Sequence, residues 1–110
     1  MNEVFQELEK QIESNFNEDI FEDLARKISL TLNSCDDFIQ LASLCRWAGF
    51  EDDQRAIDMA HDFVDRAVEV CVLKNDIFKL NEIAEELEFG MELDERATEI
   101  RGIIIELNQL

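Results

Sequence analysis

Proline is absent from this chain of 110 residues, and glycine occurs three times. Over long stretches, then, nothing locks φ, removes a backbone donor or breaks a helix. Tyrosine is missing and histidine occurs once, at His61, which leaves few proton donors and few metal ligands. Cations are scarce: 10 Lys and Arg stand against 27 Asp and Glu, for a formal charge of −17. Binding to nucleic acid requires cations that displace counterions from phosphates, and an anionic membrane surface attracts basic segments, so both classes are argued against. No apolar run approaches the ~20 residues that span a bilayer. The three cysteines, Cys35, Cys45 and Cys71, form no C-x-x-C pair, and an odd number leaves one thiol over in any pairing. The first fifteen residues are acidic and amphipathic, unlike a secretory signal or an Arg-rich transit peptide. Reduced thiols and a cytoplasmic location are expected.

What is present is a core. Hydrophobic residues make up 46% of the chain and include eight Phe, too many for a disordered acidic polymer. The length suits one domain over residues 1–110. Apolar residues recur at helical spacing almost throughout. Val4, Phe5, Leu8 and Ile12 form a first stripe, ending near Ser14 and Asn15. Asn17 starts a second, with Ile20, Phe21, Leu24, Ala25 and Ile28. Ser34 is a good N-cap for a third, carrying Phe38, Leu41, Ala42, Cys45 and Trp47 up to Gly49, where a left-handed turn is natural. A fourth helix over 52–73 has two apolar faces, one of Ala56, Ala60, Phe63, Ala67 and Cys71 and one of Ile57, Val64, Val68 and Val72, so it is expected at the centre. Asn75 is expected to cap a fifth helix that ends at Gly90. A sixth runs over 93–107 on Leu93, Ala97, Ile100, Ile104 and Leu107.

The segment Leu41-Ala42…Trp47-Ala48 lines up with Ile83-Ala84…Phe89-Gly90, and Asp53-Gln54-Arg55-Ala56 with Asp94-Glu95-Arg96-Ala97 after a one-residue shift. A period of about 41 residues suits a two-helix repeat. The expected fold is all-α, with about six helices as three antiparallel hairpins in a compact bundle or a short α-solenoid-like stack.

Chemistry is poorly provided for. Asp58, His61 and Asp65 share one helix face, yet a di-iron site needs the acid-x-x-His motif on two helices. Zinc sites usually announce themselves through close ligand pairs. Cys45 and Cys71 sit on apolar stripes, where cysteine acts as a small hydrophobe, and Cys35 is the thiol expected to be most exposed and reactive. Glu51-Asp52-Asp53 lacks the order of a calcium loop, and no nucleophile elbow, phosphate-binding glycine loop or dinucleotide fingerprint occurs. No catalytic residue, metal or other cofactor is assigned, and the chain is read as a non-enzyme.

The acids spread along the chain: 8 against 3 cations in residues 1–34, 9 against 4 in 35–74, and 10 against 3 in 75–110. That distribution suits an acidic folded surface that engages a basic surface on a partner protein, as an inhibitor would. Nucleic-acid mimicry or neutralisation of a basic toxin or nuclease is the form expected. Trp47, Phe50, Glu51, Asp52, Asp53, Glu82, Glu85, Glu86 and Ile103 are the candidate partner-binding residues. Two alternatives compete. One is a helical-repeat scaffold holding a peptide or helix in an apolar groove edged by Trp47, Phe50 or Phe89. The other is a homodimer through Ile103 or Ile105, since three consecutive isoleucines cannot all face one core and Gly102 allows close backbone approach.

Overall fold

Four of the helices begin where a side chain accepts from an unpaired backbone N–H. A computed structural model describes residues 5–109. Among these, the order is α1 (Gln6–Glu13), α2 (Glu18–Ser29), α3 (Cys35–Arg46), α4 (Asp53–Leu73), α5 (Ile77–Glu85) continued by a π-helical turn (Glu86–Gly90), and α6 (Asp94–Asn108). Val4, placed on the first stripe, lies outside the described residues. The Asn17 side chain accepts from the Ile20 N–H at 3.0 Å and Ser34 Oγ from the Asp37 N–H at 3.1 Å, as their residue types imply. Asp52 does the same for α4, accepting from Arg55 N–H at 3.2 Å. Gly49, at φ +105°, makes the left-handed exit from α3.

One helix boundary differs from expectation. Asp76, not Asn75, caps α5, its side chain accepting from Lys79 N–H at 3.0 Å. Asn75 instead closes α4: it adopts φ +54°, its N–H donates to Val72, and the next N–H, of Asp76, donates to Cys71. That pair of bonds is a Schellman closure, which asparagine tolerates in place of glycine. The fifth helix stops at Gly90 as expected, and the left-handed residue beyond it is Glu92, at φ +57°. The helix widens before it stops, with Met91 N–H reaching back five residues to the Glu86 carbonyl at 3.0 Å.

Packing follows chain order. α3 lies along α4 and α5 along α6, with α1–α2, α2–α3 and α4–α5 contacts joining the pairs. The resulting all-α bundle measures 49 × 25 × 19 Å. α4 is central as expected: Ala56, Met59, Ala60, Phe63, Val64, Ala67, Val68 and Cys71 are all buried. One core runs through the molecule from Phe5 and Leu8 to Ile100 and Ile104. Not every stripe residue turns inward, since Ile20 is 53% exposed and Val72 lies at the surface. Within the chain, a Cβ at Gly102 would meet nothing within 4 Å. Among the described residues no helix is long and apolar enough to cross a membrane.

Candidate interaction surface

The joint between hairpins α3–α4 and α5–α6 is built from a helix end that cannot satisfy itself. The last turn of any helix leaves carbonyls without intrahelical partners. Here the π-helical turn and the left-handed Glu92 present the Gly90 and Met91 carbonyls to the neighbouring hairpin. Trp47 Nε1 donates to the Gly90 oxygen at 2.8 Å, and Arg46 Nε donates to the Met91 oxygen at 3.0 Å. The Arg46 guanidinium also lies 4.4 Å from the centre of the Trp47 ring and pairs with Asp53 at 2.8 Å. A cation at the negative end of a helix is favourable, and a cation against an indole face adds to it. Arg46 is buried, whereas Trp47 is 49% exposed. The indole is therefore fixed on one side and open to solvent on the other.

Carboxylates lie on both sides of this joint. Glu51, Asp52 and Asp53 follow Trp47 on the α3–α4 turn and are all exposed. Glu86 lies over Gly90, where its carboxylate fills the space a Cβ would take. From there a groove of about 170 Å³ runs between α3 and α5, with Ile39 and Ile83 in its lining and Asp36, Lys79, Glu82 and Glu86 around them. Lys79 spans it, bonding Asp36 at 3.0 Å and Glu82 at 2.9 Å, and both carboxylates hold its ammonium above the ordinary lysine pKa. Phe89, on the π-helical turn beside Gly90, is 79% exposed.

The fold thus brings Trp47, Asp53, Glu82 and Glu86 into one continuous surface, with Glu51, Asp52 and Glu85 exposed beside it. Two other candidates go elsewhere. Phe50 is drawn inward, edge-to-face with Phe16 at 5.3 Å and Phe21 at 5.6 Å. It clamps α2 to the α3–α4 turn and is not an exposed anchor. Ile103 is half-buried against the core on α6, and Ile105 is the exposed member of the isoleucine run. Arg46 carries no signal as a site residue in the sequence; its only mark is a cation set between Cys45 and Trp47 on an apolar stripe.

Among the described residues, ion pairs occupy eight of the ten cations. Arg55 is the densest hub, reaching Glu22 at 2.7 Å, Asp19 at 2.9 Å and Glu18 at 3.7 Å, and Glu22 and Asp19 raise its pKa. With most cations committed to local pairs, the net charge of −17 gives a predominantly negative field. Asp58 and Asp65 are drawn away from His61, Asp58 accepting from Gln54 at 2.8 Å and Asp65 pairing with Arg96. Among the described residues no three His, Cys, Asp or Glu side chains are grouped to hold a metal ion. Cys35 is not an exposed thiol: it is buried, as are Cys45 and Cys71, and burial raises the pKa of all three, that of Cys35 and Cys45 strongly. Comparison with protein-family models, curated proteins and solved structures returned no significant match.

Proposed function

We propose that this chain is a non-enzymatic binding protein whose acidic helical surface docks on a basic surface of a partner protein, with Trp47 as the apolar anchor. The observation that carries this reading is the fixed, half-exposed indole at a joint with carboxylates on both sides. A rigid aromatic loses little entropy on contact and buries a large area, which is how interface hot spots arise. The surrounding negative field steers a basic partner onto it and rejects acidic ones. Glu51, Asp52, Asp53, Glu82, Glu85 and Glu86 supply the local charge, and Phe89 extends the apolar contact. Occupation of a nuclease or another nucleic-acid-binding surface is the specific form in which a carboxylate-studded helical face would compete with phosphates.

The test is affinity capture at low and high salt with three versions of the protein: native, Trp47→Ala, and Glu82→Gln/Glu86→Gln. Basic proteins should be retained by the native chain at low salt, released at high salt, and lost from both variants. Retention that ignores salt and both changes would overturn the reading.

A further inference from the structure

The Cys71 and Cys35 sulfurs lie 3.1 Å apart, one on the last turn of α4 and the other on the first residue of α3. A disulfide needs ~2.05 Å between sulfurs, so small rotations about the two Cα–Cβ bonds close the remaining gap. Cys45 lies on the opposite end of α3 and is fully buried. We propose that Cys35 and Cys71 form a redox-active dithiol that is converted to an intramolecular disulfide by a small-molecule disulfide, leaving Cys45 as the free thiol.

Access favours one order of events. A surface depression of about 180 Å³ is lined by Cys35 and Cys71 together with Lys74 and Lys79. Cys35 is 9% exposed and Cys71 1%, so an incoming reagent meets Cys35 first. The Cys35 thiolate attacks one sulfur of the reagent RSSR, forming a protein–SR mixed disulfide and releasing RS⁻. The Cys71 thiolate then attacks the Cys35 sulfur and expels the second RS⁻. The two thiol protons end on two molecules of RSH, and two electrons pass from the protein to the reagent.

Burial opposes ionisation of both thiols, and the neighbouring charges divide. Asp36 raises Cys35 and Asp76 raises Cys71, while Lys79 acts against both and Lys74 assists at Cys71. The exchange should therefore accelerate as pH rises from neutrality. It is independent of the acidic-surface reading, since neither sulfur lines the Trp47 surface.

The experiment treats the folded chain with 2-hydroxyethyl disulfide, a neutral probe that the net charge of −17 does not repel. Thiols are then counted under denaturing conditions, and the non-reduced digest is mapped by mass spectrometry. Titratable thiols should fall from three to one. The intact mass should drop by two hydrogen atoms, with a cross-linked peptide containing Cys35 and Cys71. Cys45→Ser should give the same cross-link and Cys71→Ser none. Three surviving thiols, under conditions that oxidise a dithiothreitol control, would overturn the proposal. So would a cross-link that includes Cys45 or joins two chains.

Discussion

The Trp47 indole N–H donates to the Gly90 carbonyl at 2.8 Å across the joint between two helical hairpins. The bond spans 43 residues of sequence, so one side chain both caps a distant helix and presents an aromatic face to solvent. Trp47→Phe keeps most of the ring and removes the donor, leaving the carbonyl to water. It should cost about 1 kcal/mol, read as a shift of the urea midpoint with an unchanged slope. Arg46→Ala should cost more, about 2–3 kcal/mol, because the Met91 carbonyl is left in a buried position. The two residues touch, so the double variant should lose less than the sum of the single losses. Full additivity would mean that the clamp does not act as a unit.

Gly49 and Gly102 should respond to alanine in opposite directions. At neither position would a Cβ meet an atom within 4 Å, so crowding decides nothing. Gly49 sits at φ +105°, a conformation L-residues resist, and Gly49→Ala should destabilise the fold by about 1–2 kcal/mol. Gly102 lies inside α6, where glycine has no packing reason to be retained. Gly102→Ala should stabilise by about 0.5–1 kcal/mol. Thermal unfolding of both variants beside the native chain checks the pair, and the same sign for both would contradict the argument.

Glu22 receives hydrogen bonds from Arg26 and Arg55, at 2.8 and 2.7 Å. The bond from Arg26, with the one from Arg55 and both positive charges, outweighs partial burial and holds the carboxyl below its ordinary value of 4.5. A depressed folded-state pKa contributes stability above the unfolded value and loses it as pH falls through the folded one. Native protein should therefore exceed Glu22→Gln in melting temperature at neutral pH. The gap should narrow below about pH 4.5 as the unfolded-state carboxyl takes up its proton. A gap that stays constant from pH 7 to pH 3 would show that Glu22 acts by packing and not by charge.

How much of this was legible beforehand depends on the range of the interaction. Helix starts at Asn17 and Ser34, the Gly49 turn and the central place of α4 rest on neighbours a few residues apart, and these follow from spacing. The left-handed Asn75 and Glu92 were missed because asparagine can either cap a helix start or close a helix end, and glutamate carries no turn signal. The clamp of Arg46 and Trp47 joins residues more than 40 positions apart, and the Cys35–Cys71 approach joins residues 36 apart. Periodicity assigns a face to each residue but not the residue opposite it. Phe50 shows the same limit: its position at a turn suggests exposure, while its partners Phe16 and Phe21 come from another hairpin.

Salt should stabilise the free protein while weakening its binding. At about 0.01 M ionic strength the screening length is roughly 30 Å, longer than two of the molecule's three dimensions, so carboxylates across the whole surface repel one another. At about 0.15 M it is roughly 8 Å, which suppresses that repulsion yet leaves contact pairs such as Arg55 with Glu22, at 2.7 Å, less affected. With 27 acids against 10 cations, the long-range repulsion outweighs the pairs, and the melting temperature should rise with added NaCl. A fall would mean that the ion-pair network governs stability. The predicted rise also separates two explanations for loss of a partner at high salt. If the chain is more stable in salt, release cannot come from its unfolding, and screening of the surface around Trp47 is left as the cause.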